Sequence, residues 1–159
     1  VEIGDKNGQA SALGGIAAAH AKKGDAAKAI SFYEKAHVLN GEIGDKKGQA
    51  SALGGIAAAH AKKGDAAKAI SFNEKGLALS VEIGDKHGQA SALGGIAAAH
   101  AKKGDAAKAI EFYEKALKLN EHVGNGPFVI RTLQQLSKLA SAVGDQELKR
   151  KCDERLRRR

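Results

Sequence analysis

The amino-acid sequence predicts an all-α fold, a solenoid of stacked helix-turn-helix hairpins with about eight helices, and three observations predict it. The chain repeats itself every 40 residues, Gly-Asp turns cut each repeat in two, and each half carries one apolar face at helical spacing. Residues 1–40 return at Gly41 with 33 of 40 identities and at Val81 with 36 of 40. The remainder is a disguised fourth unit in the same register, because Gly124, Leu133, Leu136, Gly144 and Asp145 fall where Gly84, Leu93, Ile96, Gly104 and Asp105 fall in the third. Residues 1–120 therefore read as three near-identical hairpins, and residues 121–159 as a diverged fourth whose basic last helix caps the stack.

Each unit divides as follows. Asp5 is placed to cap a first helix, which Lys22-Lys23-Gly24 ends with cations and a C-terminal glycine before Asp25 caps the second. On the first helix Leu13, Ile16, Ala17 and His20 recur at i, i+3, i+4 and i+7. On the second, Ala29, Phe32, Tyr33, Ala36 and Leu39 form a comparable stripe. A lone hairpin with such small side chains cannot offset its ordering entropy, whereas stacked hairpins share one continuous core. In the fourth unit Gly126-Pro127 opens the seventh helix, Pro being preset for a first turn, and Phe128, Leu133, Leu136, Leu139 and Ala140 are its expected apolar positions. The eighth helix has a narrow line of Leu148, Cys152 and Leu156 amid charge, as suits a terminal cap.

Composition bounds the core and the compartment. Aromatic residues make up 4% of the 159 residues and Trp and Met are absent, so the core must be thin and built from Ala, Leu and Ile. The single Cys152 excludes an internal disulfide, and no apolar run approaches the roughly 20 residues of a membrane span. The opening residues carry no signal pattern, and a soluble, cytoplasmic protein is the expectation. Half of the formal net charge of +8 falls in the last 39 residues. Helix-dipole neutralisation accounts for cations there, although an acidic partner or nucleic acid would also be attracted.

The string LGGIAAAHAKKGDAAKAISFYEKA resembles the tetratricopeptide repeat, in a 40-residue-period form similar to that of the Leu-Gly-Asn-rich polarity adaptors. Residue by residue, Leu13 stands at the family's bulky opening position, Ile16 at its Leu, Ala17 at its close-packing Gly and His20 at its Tyr. Ala29 and Ala36 match its Ala pair, Tyr33 its second-helix aromatic, and Gly24-Asp25 its turn. The family's Pro after the second helix is absent, and Asn73 and Gly76 depart from the aromatic and the Ala in the second unit, where packing is expected to be weakest. The resemblance implies a right-handed superhelix whose first helices line a concave groove that binds peptide segments of partner proteins. It places Ser11, Gly14, Gly15, Ala18, Ala21 and Lys22 in that groove, with their equivalents 40 and 80 residues on. The Asn residues with which many relatives grip a peptide backbone are Gly15 and Ala18 here.

The function expected is thus a protein-interaction scaffold binding a peptide, and an acidic one by charge. Lys22, Lys62 and Lys102 form a row along one groove edge, and Arg131, Gln134 and Lys138 share a face of the seventh helix free of the helix-end explanation. Two other readings remain open: a duplicated or engineered scaffold with no dedicated ligand, favoured by the near-identity of the groove positions, and nucleic-acid binding through the basic C-terminal region. Scarce aromatics and interleaved acids speak against the second of these. No catalytic residues, cofactor or metal site are expected. His20, His60 and His100 stand one per hairpin with no second ligand at i+3 or i+4, which favours packing, and the glycines lie in helices and turns rather than in a phosphate loop. Gly14-Gly15 and its repeats read either as a smooth ligand floor or as close helix contact. Finally, Ala10, Leu13 and Ala17 keep their apolar character in the first unit, where no preceding hairpin covers them, so a homodimer through this uncapped N-terminal repeat is expected.

Overall fold

The computed structural model describes residues 3–159, with side chains from Asp5 onward. It contains eight α-helices and, among the described residues, no strand: α1 (Ile3–Lys22), α2 (Ala26–Glu42), α3 (Lys46–Lys62), α4 (Ala66–Glu82), α5 (Lys86–Lys102), α6 (Ala106–His122), α7 (Gly126–Val143) and α8 (Gln146–Arg157).

One turn serves seven times. Glycines 24, 44, 64, 84, 104, 124 and 144 all adopt positive φ, between 69° and 83°, the left-handed conformation that ends a helix at little cost only in glycine. At the first of them the Asp25 amide donates to the His20 carbonyl at 2.9 Å, closing α1, while the Asp25 carboxylate accepts from the Lys28 amide at 3.1 Å, opening α2. Asp45, Asp65, Asp85, Asp105 and Asp145 cap in the same way. Asp5 does not: α1 begins at Ile3, so Asp5 lies inside its first turn. Asn125 stands at the N-cap of α7 but makes no side-chain capping bond.

Each helix packs on the one before and the one after it, and α3 also touches α1 and α5 directly, whereas α2, α4 and α6 make no comparable contact with one another. The first helices of the hairpins are therefore closer together than the second ones. They form the inner, concave wall of a curved stack.

Small residues carry the hairpin interfaces. Ala17, Ala57 and Ala97 are fully buried, as are Ala29 and Ala109. Each of the first three hairpins is further tied by a recurring sandwich, in which His20, His60 and His100 stack on Phe32, Phe72 and Phe112 at 5.4 to 5.6 Å. The ammonium groups of Lys35, Lys75 and Lys115 lie over the same Phe rings, about 5 Å from their centres. An aliphatic cluster lies at the C-terminal end, where Leu117, Val129, Leu133, Leu136 and Cys152 meet. Phe128 is not part of it. The buried stripe of α7 runs through Val129, Leu133, Leu136 and Ala140, one position out of phase with Phe128, which is 48% exposed.

The first hairpin shows what stacking contributes. Ile56 and Ile96 are 2% and 1% exposed, but Ile16, identical in sequence context, is 42% exposed because, among the described residues, no helix packs on that side of α1. Ala12 and Ala19 are uncovered with it, and Leu13 is half-buried where Leu53 and Leu93 are buried. Ala10 and Ala17, expected among the uncovered residues, are buried at 4% and 0%, since they face the hairpin's own second helix. At the other end α8 is laced by Glu147–Lys151, Lys149–Asp153 and Arg150–Glu154 pairs at i, i+4, and Arg155 pairs with Glu121 of α6.

Candidate functional site: the concave face

Side chains shorten toward the concave wall, and clefts open there between neighbouring hairpins. One, about 680 Å³, lies between the second and third; Ser51, Gly54, Ala58, Ser91 and Ala98 are among its lining residues. A second of about 380 Å³ lies between the third and fourth hairpins, bounded by Gly94, Tyr113, Phe128, Arg131 and Gln135. These are the small groove positions that the family resemblance implied, found on the inner helices.

The glycine pairs divide their roles. A Cβ on Gly14, Gly54 or Gly94 would meet nothing within 4 Å, so the first glycine of each pair faces open groove. The second glycine is a packing residue wherever a hairpin precedes it. A Cβ on Gly55 would lie 2.5 Å from the Tyr33 ring, and one on Gly95 would lie 2.4 Å from the Asn73 amide nitrogen. Open groove surface and close contact are thus both present, one on each glycine.

The predicted cationic residues fall into two groups. Lys62 and Lys102 each reach back one hairpin, donating from Nζ to the carbonyls of Ala21 and Ala61 at 3.4 Å. These carbonyls belong to the last turns of α1 and α3, so both lysines neutralise helix ends while their ammonium groups stay exposed at the groove edge. Lys22 is exposed at the same place on α1. Arg131 borders the cleft between the third and fourth hairpins. Burial pushes the Tyr113 phenol above its usual range, and the Arg131 guanidinium beside it pulls the other way. Gln134 and Lys138 lie elsewhere, in a depression between α7 and α8 with Ser141 and Lys149. Seven residues separate Arg131 and Lys138 along one helical face, but they border different depressions.

Asn73, Ser80 and Gln135 also line the clefts, and the sequence alone did not single them out as site residues. The signal for Asn73 was its departure from the repeat, visible as a packing defect rather than as an opening.

No group of three or more His, Cys, Asp or Glu side chains among the described residues is arranged to hold a metal ion. The Cys152 thiol is buried and its pKa is raised, by burial first and then by Asp153 and Glu114, which leaves it a poor nucleophile. No described helix is long and apolar enough to cross a membrane.

The tetratricopeptide repeat matches residues 8–82 and 88–148. The chain belongs to the tetratricopeptide repeat family. Among curated proteins nothing matches it. Solved structures do: BtubC (BKLC) from P. vanneervenii, at 19% identity and a TM-score of 0.83, covers 94% of this chain and 62% of its own. The apo form of RapI, at 15% identity and a TM-score of 0.87, is covered over 54% of its length by 94% of this chain. The tetratricopeptide domain of Arabidopsis FLU, at 23% identity and a TM-score of 0.69, is matched over 98% of its length by 74% of this chain. This tetratricopeptide chain thus spans less than two thirds of the first two proteins, and at these identities the likeness is one of fold: an all-helical superhelical solenoid. Such repeat folds are scaffolds, and they point to protein–protein interaction.

Proposed function

We propose that the chain binds a peptide segment of another protein along its concave face, and an acidic segment by charge. The observation that carries this reading is the pair of consecutive clefts on the inner helices, floored by Ser, Gly and Ala and edged by Lys102 and Arg131. A floor with few side chains lets an extended backbone approach closely, and exposed cations at one-repeat intervals give charge-assisted hydrogen bonds and steer its arrival. Arg131, Gln134, Lys138, Lys22, Lys62 and Lys102 are the residues assigned to that contact, of which Arg131 borders the groove cleft and Gln134 and Lys138 border the separate depression between α7 and α8. The basic tail is a weaker attractant for nucleic acid, because Lys149, Arg150, Lys151 and Arg155 are each engaged by a carboxylate.

A fluorescein-labelled Glu-Gly copolymer peptide, titrated at low salt, tests the reading. Arg131→Glu with Lys138→Glu should weaken its binding by roughly tenfold or more. Unchanged affinity moves the site off the concave face.

Self-association has its own support. The exposure of Ile16, set against the burial of Ile56 and Ile96 in the same sequence context, favours pairing of two α1 faces in a two-fold dimer, with the charged α8 ends left in solvent.

A further inference from the structure

We infer that the cleft between the second and third hairpins is a seat for one aromatic side chain of the bound peptide. The inference rests on the peptide-groove reading and adds which kind of residue the peptide brings and where it lodges.

Comparison of the three second helices isolates the feature. α2 and α6 agree and α4 differs at three positions: Asn73 replaces Tyr33 and Tyr113, Gly76 replaces Ala36 and Ala116, and Ser80 replaces Asn40 and Asn120. Every change shortens the side chain. The spacing i, i+3, i+7 puts all three on one face of α4, and all three line the same cleft. Its volume is about 680 Å³, against about 380 Å³ at the next hairpin junction, where Tyr113 is kept.

The surface facing that opening is already shaped for a ring. At the preceding junction the Tyr33 ring lies on Gly55, so close that a Cβ there would be 2.5 Å from its Cζ. Residues 91–96 of α5 repeat residues 51–56 of α3 without change, Gly95 standing for Gly55. α5 therefore carries the same surface, over which α4 lays the short Asn73 amide, its nitrogen 2.4 Å from the place a Cβ on Gly95 would take, so a ring enters beside that amide and not in place of it.

That amide is a second, independent pointer. Asn73 is 8% exposed, borders the cleft, and has no hydrogen bond holding its side chain within the described residues. A carboxamide both donates and accepts, and this one meets the cleft without a protein partner, so a ligand's peptide group can take up the hydrogen bonds it otherwise gives to solvent. An incoming residue with a flat apolar ring and an adjacent peptide group matches both halves of the site. The lining adds Lys47 and Lys102 against one carboxylate, Asp85, which caps α5, so acidic residues flanking the ring suit it.

The test uses three acetylated, amidated peptides, Glu-Gly-Phe-Gly-Glu and its versions with Leu or Ala in place of Phe, titrated into the isotope-labelled full chain. The Phe peptide should bind roughly tenfold more tightly than the Ala peptide and shift the amide signals of Gly94 and Gly95. Asn73→Tyr, which restores the residue of the sibling helices, should fill the seat and bring the Phe to Ala ratio to about one, with the residual charge-driven binding retained. Ser80→Asn narrows the same cleft from its other end and should reduce the ratio in the same direction; melting curves confirm that each variant is folded. Equal affinity of the wild type for the Phe, Leu and Ala peptides overturns the aromatic seat and leaves the groove reading standing. A ratio unchanged in both folded variants overturns it too, because the ring then lodges elsewhere. If no peptide shifts any concave-face amide, the groove reading fails and the seat with it.

Discussion

The Tyr33 ring lies across the backbone of Gly55, leaving 2.5 Å between its Cζ and the place a Cβ would take. Gly54, one residue earlier in the same helix, has nothing within 4 Å of that place. Alanine should therefore act in opposite directions at neighbouring positions. Gly54→Ala should raise stability by about 0.5–1 kcal/mol through backbone entropy alone. Gly55→Ala should lower it by about 1–3 kcal/mol, since the ring must shift. Urea unfolding of the two variants checks this, and equal shifts of the same sign would disprove the division of roles.

Gly76 is the single glycine inside a second helix away from its end, and its siblings carry Ala. A Cβ there would stand 3.5 Å from the Ala50 carbonyl oxygen and 3.7 Å from the Leu53 Cβ, both ordinary contacts. Gly76→Ala should therefore stabilise the chain by about 1 kcal/mol, measurable as a raised melting temperature. A lowered one would mean that α4 sits too close to α3 to admit a methyl group.

His60 makes stability depend on pH. Its ring is buried against Phe72 with Nδ1 unpartnered, and burial, followed by the Lys68 charge, lowers its pKa below the usual 6.5. The unfolded chain then binds more protons here than the folded chain, so this contribution is fully present above pH 6.5 and is lost as pH falls below it. In His60→Phe, which keeps the ring stack, stability should fall less between neutral pH and about pH 5 than in the wild type. Parallel unfolding curves at the two pH values would exclude a buried neutral imidazole.

Asn125 holds the N-cap position of α7 without making the capping bond that six aspartates make at the equivalent turns. Asn125→Asp should form it with the Phe128 amide and place a negative charge at the positive end of the helix, gaining about 0.5–1 kcal/mol. Chemical denaturation at neutral pH reads the gain. A loss would show that Gly126-Pro127 holds the turn out of capping geometry.

Ile16 is the natural probe of the uncovered face. Replacing it with Arg removes the centre of the apolar patch and, at 42% exposure, should cost little stability in the monomer. Sedimentation across a concentration series should show the wild type shifting to dimer and Ile16→Arg remaining monomeric. A wild type that stays monomeric at the highest concentration would show that the uncovered end is tolerated.

The sequence by itself determined the helices and their ends. The 40-residue period, the Gly-Asp punctuation and the i, i+3, i+4 stripes are local signals, and Gly24, Asp25 and Ala29 act within a few residues of their own backbone, so their meaning does not depend on what packs nearby. Only the tertiary structure decided what identical residues do in different surroundings. Ile16 and Ile56 share one sequence context but not one environment, because burial depends on whether a neighbouring helix is present. Gly54 and Gly55 are indistinguishable as letters, and only the position of Tyr33, more than 20 residues earlier, makes one a floor and the other a contact. Phe128 read as core because apolar, yet the phase of α7 set by Val129, Leu133 and Leu136 turned it out toward the groove. The opening beside Asn73 was likewise invisible in the chain, since a cavity consists of side chains from three helices failing to meet, and sequence spacing specifies which residues share a face but not the distance between faces.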